Sequence, residues 1–172
     1  MRKLSALGIT VVASIGVALV ATPAYAADTT AVIEITGGSL SISAPVGEVT
    51  ATPITAGVDA TTVTFPLGDV AVTDAIGGTA GWTAAVTVTD FESENSTLPI
   101  AGGSYATGVV EQTGLVTVTP SDSTTLALAT TVVTGTAASG VNTAAWNPTV
   151  TVAVPAGALA GMYSSTVTHS VL

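Results

Sequence analysis

Between residues 81 and 89, apolar and hydroxyl side chains alternate along the chain. Trp82, Ala84, Val86 and Val88 fall on one side of an extended backbone, and Thr83, Ala85, Thr87 and Thr89 on the other. Thr149–Val154 repeats the pattern, with Val150, Val152 and Val154 opposite Thr149, Thr151 and Ala153, and Leu115–Thr119 follows the same scheme. A period of two sends successive side chains to opposite faces of a pleated strand, so each segment reads as a strand with one face on a core. Thr and Val recur through the rest of the chain, and both fit a half-buried pleated surface better than a helix.

By the same criterion, strands are expected at Ala31–Ile35, Leu40–Ser43, Thr61–Phe65, Asp69–Thr73, Ser104–Val110 and Leu126–Thr134. A closing strand would place Tyr163, Ser165, Val167, His169 and Val171 on one face. Turn signals separate these segments at Gly37-Gly38, Ala44-Pro45, Pro66-Leu67-Gly68, Gly77-Gly78, Leu98-Pro99, Gly102-Gly103 and Pro155-Ala156-Gly157. Asp69–Thr73 and Trp82–Thr89 flank a Gly-rich connection and are expected to form a hairpin. No window sustains a 3.6-residue period, and the nearest helical candidate, Ala156–Gly161, allows one turn at most. About nine short strands at this spacing predict an all-β domain, a single antiparallel β-sandwich of the Ig-like or Greek-key type.

The N-terminus stands apart from this pattern. Met1-Arg2-Lys3 is a basic start, Leu4 to Val20 is mostly apolar, and Ala24-Tyr25-Ala26 is an A-x-A site. This is the layout of an export signal, and cleavage is expected after Ala26. The remainder, 27–172, is then a single secreted, extracellular domain that inserts in no membrane. Arg2 and Lys3 are the only Lys or Arg in the chain, so that domain carries none, while all 11 Asp and Glu lie within it. Nucleic acid is excluded as a partner, because its phosphates need Lys or Arg to neutralise them. With no cysteine, neither disulfides nor thiol chemistry is available.

Few side chains remain that carry chemistry. His169 is the one histidine, no G-x-S-x-G elbow accompanies it, and its strand face also holds Tyr and Val. A packed imidazole is expected there, with no catalytic role. Asp90, Glu92 and Glu94 form the only close acidic group. On an extended segment they would project to one side, as a weak Ca²⁺ site or as solvated loop carboxylates. They lack the spacing of an EF-hand loop and form no complete hydrolase constellation. No enzyme activity and no cofactor is expected, with Ca²⁺ at those three residues as the one candidate. Trp82 lies on a core-type face, whereas Trp146, just before Asn147-Pro148, is open to burial or exposure.

The C-terminal run AAWNPTVTVAVPAGALAGMYSSTVTHSVL, together with the earlier Gly81-Trp82-Thr83-Ala84, Phe91 and Leu98, resembles the WxL family of bacterial cell-surface domains. Trp146, Val152, Val154, Pro155, Gly161, Tyr163 and Thr168 occur in that family's order. The two signature tripeptides are altered here, reading Trp82-Thr83-Ala84 and His169-Ser170-Val171. The resemblance implies an exported β-rich domain held non-covalently on the peptidoglycan of Gram-positive cells. Trp82, Trp146, Tyr163 and His169 become candidate contacts for cell-wall glycan or for other surface proteins. A second possibility is self-association, in which Ala31–Ile35 donates a strand to a neighbouring copy and builds a fibre or layer.

Overall fold

A computed structural model describes residues 30–172. The chain divides into two compact units, Met1–Glu34 and Ile35–Leu172. The export signal expected at 1–26 lies outside the described residues. In the first unit, residues 30–34 belong to no strand and are exposed. Among the described residues the second unit holds every strand, and it is all-β and antiparallel, as the alternation predicts.

Its elements are β1 (Leu40–Ser43), β2 (Thr61–Pro66), β3 (Val70–Asp74), β4 (Trp82–Val88), β5 (Phe91–Glu92), β6 (Thr97–Leu98), β7 (Ser104–Ala106), β8 (Val110–Pro120), β9 (Thr130–Trp146), β10 (Thr149–Val154) and β11 (Val167–Val171). The larger sheet runs β1-β3-β9-β4-β11, with β8 also paired to β9. The second sheet is β2-β10-β7, and β5 with β6 makes a small separate hairpin. Inner faces of the two larger sheets share one core. Val70, Val72, Ala84, Val86, Val88, Val132 and Val133 come from the first sheet, and Phe65, Tyr105, Val150 and Val152 from the second. Burying each Val in full contributes about 1.5–3 kcal/mol against chain entropy. β4 buries Trp82, Ala84, Val86 and Val88 and half-exposes the residues between them, the division its sequence predicts.

The structure corrects three expectations. β3 and β4 form no hairpin, because both pair with β9: Val70–Asp74 lie against Trp146–Asn142, and Trp82–Val86 against Gly135–Thr130. β9 is long enough, at 17 residues, to serve both, and positive φ at Ala137 (51°) and Gly140 (71°) breaks its regular extension between them. The two expected strands at Ser104–Val110 and Leu115–Thr119 divide elsewhere, into β7 and a β8 that starts at Val110. Ala31–Ile35 is not a strand. It alternates correctly but has no ladder partner among the described residues, and backbone without one leaves its N–H and C=O groups to solvent. Ala156–Gly161 forms turns and bends, within the single turn at most that the sequence allowed.

Candidate functional site

Both tryptophans are core residues. Trp82 is 2 % exposed and Trp146 is 3 % exposed, so neither indole is available to stack on a ligand from solvent. The indole of Trp82 lies against Gly135 across the β4–β9 ladder, where a Cβ would come within 2.4 Å of Trp82 Cε2. Its Nε1–H donates to Asn142 Oδ1 at 3.0 Å, and Asn142 Nδ2 donates to Asp74 Oδ2 at 2.9 Å. The other carboxylate oxygen, Asp74 Oδ1, accepts from Ile76 N–H at 3.1 Å. These bonds tie β4, β9 and the end of β3 together with buried polar groups.

Trp146 opens a second chain of hydrogen bonds. Its Nε1–H donates to Tyr105 Oη at 3.0 Å, and the same hydroxyl lies 3.0 Å from His169 Nε2. Indole N–H is only a donor, so Tyr105 Oη accepts from Trp146, and the same hydroxyl, with one hydrogen and a second lone pair, pairs with His169 Nε2 in the sense the imidazole tautomer sets. Burial pushes the Tyr105 hydroxyl up to about 12, against a smaller lowering by the Trp146 bond. Burial lowers the pKa of His169. The only histidine thus joins β11 to β7 and β9 from the core side of the closing strand, alternating with Val167 and Val171. Tyr105, the hub of this chain, is a buried polar position that alternation alone did not mark. The available signal was a lone Tyr among small residues in a strand.

Asp90, Glu92 and Glu94 do not converge. Asp90 Oδ1 accepts from Ile100 N–H at 2.8 Å and closes the loop after β4. Glu92 is on β5, its backbone exchanging bonds with Ser164, while Glu94 lies in the turn that Ser93 and Ser96 close. The segment is a tight hairpin, so the one-sided projection that an extended run would give at i, i+2, i+4 does not arise. Among the described residues, no three His, Cys, Asp or Glu side chains are placed to hold a metal ion.

Tyr163 is placed differently from the tryptophans. It is half-buried at the margin of an open cleft of about 390 Å³. Val63, Phe65 and Val152 of the second sheet and Phe91 of the hairpin line the cleft from the core side. Phe65 and Phe91 meet edge to face there, their centroids 6.4 Å apart at 84°. Segments 48–59 and 158–163 complete the lining, and Tyr163 Oη donates to Leu159 O at 2.8 Å to hold the second of them. Leu159 and Met162 are exposed, and Met adapts its shape to varied apolar partners. The charged residues in the lining are Glu48 and Asp59, and none is basic. An apolar, partly aromatic cleft with an acidic border suits uncharged or cationic chains and repels anions. Nothing in the sequence pattern marks 48–59, since a loop without periodicity acquires its role only from what it lies against.

No protein-family model matches the chain, and no curated protein or solved structure matches it either.

Proposed function

We propose that this protein is an exported, non-catalytic surface module that attaches non-covalently to cell-wall glycan or to other surface proteins through the cleft bordered by Tyr163. The observation that carries the reading is the cleft itself, an apolar opening with exposed Leu159 and Met162 at its border. Exposed apolar side chains gathered at a concave site mark an interaction surface. The leader-like N-terminus and the WxL-like order of residues from Trp146 to Thr168 support an extracellular, wall-associated setting. Wall polyanions are unsuited to a border of Glu48 and Asp59, so the contact is with neutral sugar faces or with protein. Carbohydrate stacking falls to Tyr163 and Phe91, and Trp82 and Trp146 serve the core.

The test is co-sedimentation of the secreted protein with isolated Gram-positive cell walls, with and without Ca²⁺, beside a tube lacking walls. Wall-dependent pelleting is expected, and Met162→Glu with Tyr163→Ala is expected to abolish it while the far-UV spectrum is kept. Pelleting unchanged by that double substitution removes the cleft from the contact.

A further inference from the structure

The edges of the two sheets differ in what they leave open. Leu67 N–H donates to Pro148 O at 2.9 Å, which sets the hydrogen-bonding phase of β2 against β10. Counting back from Leu67, Phe65, Val63 and Thr61 face β10, so Thr62 and Thr64 turn their N–H and C=O groups away from the sheet. Among the described residues nothing pairs with them there.

Parts of the other edges are covered. Across β7, Tyr105 exchanges both backbone bonds with Ser123, at 2.7 and 2.9 Å. On β8, the outward N–H of Val118 is capped by Gln112 Oε1 at 3.1 Å, and Pro120 has no N–H to offer. β1 and β11 approach each other across the remaining gap. β2 is an edge whose outward Thr62 and Thr64 backbone groups are unpaired among the described residues, and its inward Val63 and Phe65 line the cleft. A strand laid beside it would add its own inward side chains to that apolar lining.

The chain carries a segment of matching character. Val32, Ile33 and Ile35 are 87 %, 85 % and 91 % exposed. Alternation places Ala31, Ile33 and Ile35 on one face and Val32 and Glu34 on the other. From Gly38, whose N–H donates to Ala75 O, the backbone is fixed to the end of β3.

We propose that Ala31–Ile35 of one copy adds as a strand to the β2 edge of a second copy, with Ile33 and Ile35 entering that copy's cleft and Glu34 facing solvent beside Thr62 and Thr64. The inference rests on the reading of the cleft as a contact site and names a second copy as an occupant. Donor and acceptor are different surfaces, so the contact is heterologous and propagates into chains or closes into rings. Copies lacking Lys and Arg repel one another, so backbone pairing and apolar burial drive the addition, and added salt strengthens it by screening.

Sedimentation velocity of the secreted protein tests this. Species larger than a monomer are expected, increasing with protein concentration and with NaCl. Ile33→Asp with Ile35→Asp alters only exposed side chains and is expected to weaken association by about 100-fold or more, since two buried Ile contacts become charges. Thr64→Pro removes an outward N–H and is expected to block the acceptor edge, with Thr62→Pro as the alternative should Thr64→Pro not fold. Each variant alone is then monomeric. Mixing the Ile33→Asp/Ile35→Asp protein, which retains its acceptor, with Thr64→Pro, which retains its donor, is expected to restore dimers and nothing larger.

A wild-type protein that stays monomeric in high salt overturns the proposal, as does association that survives the Ile33→Asp/Ile35→Asp change. Wall pelleting of the same samples separates the two readings. A monomer that still pellets with walls retains the wall-module reading without strand addition. Assembly without pelleting retains strand addition without the wall.

Discussion

Tyr105→Phe is the change that tests the buried hydrogen-bond chain most directly. It removes one oxygen and leaves the ring in place, so packing is nearly conserved. Trp146 Nε1–H then loses its acceptor inside the core, where it is 3 % exposed, and His169 Nε2 loses its hydrogen-bond partner. An unsatisfied buried donor costs about 1–3 kcal/mol, whereas the half-buried imidazole regains part of its bond from water. The expected loss is about 2–3 kcal/mol, which at an m-value of about 2 kcal/mol/M lowers the urea midpoint by about 1–1.5 M. Both tryptophans are buried, so their fluorescence reports the transition.

The alkaline limb supplies an independent check of the same hydroxyl. Its pKa is about 12 in the folded protein against 10.0 ordinarily. A group whose folded pKa is raised stabilises fully below the unfolded value and loses that stabilisation as pH rises through the folded one. The wild type should therefore lose about 1.4 kcal/mol between pH 9 and 11, toward an upper limit of about 2.7 kcal/mol above pH 12. Tyr105→Phe should lose none of this component. A destabilisation below about 0.5 kcal/mol, or an alkaline loss of equal size in both proteins, would refute the reasoning.

Three further outcomes are expected. His169→Phe removes one partner of the buried Tyr105 hydroxyl and costs about 1–2 kcal/mol, without loss of the fold by circular dichroism. Because burial lowers the His169 pKa, its contribution is complete above the ordinary value of 6.5 and fades as pH falls through it. Melting temperatures from pH 7.5 to 5.5 should accordingly decline more in the wild type than in His169→Phe. Gly135→Ala forces a Cβ to within 2.4 Å of the Trp82 ring and should cost about 1–3 kcal/mol, read as a lowered melting temperature and an altered tryptophan emission. Asn142→Leu strands both Trp82 Nε1–H and the buried Asp74 carboxylate and should cost about 3–5 kcal/mol in urea unfolding. Adding Asp74→Leu should recover part of that loss, and a purely additive result would show that the two side chains do not act as a pair.

The alternation in residues 82–88 and 149–154 was sufficient to assign the inward faces of β4 and β10, because side-chain direction in a strand is a local property. The single His on the Val167/Val171 face was legible as a packed residue for the same reason, though its partner was not. Composition alone shows that the chain has no thiol, since Cys is either present or absent. Strand partners could not be read this way. β3 and β4 are neighbours in the chain with a Gly-rich link, yet each is paired to a β9 that begins more than forty residues after β4 ends. Which edge a strand meets depends on the total burial the whole chain achieves, and no local window contains that sum. The same holds for the meeting of Tyr105, Trp146 and His169 from three strands, and for the cleft, whose lining is drawn from segments 48–65, 91–98 and 152–163. The sequence by itself determined the kind of element and which face of it turns inward. The tertiary structure decided which strands became neighbours, which edge remained open, and which polar atoms were buried against one another, because each of these is set by contacts between residues far apart in the chain.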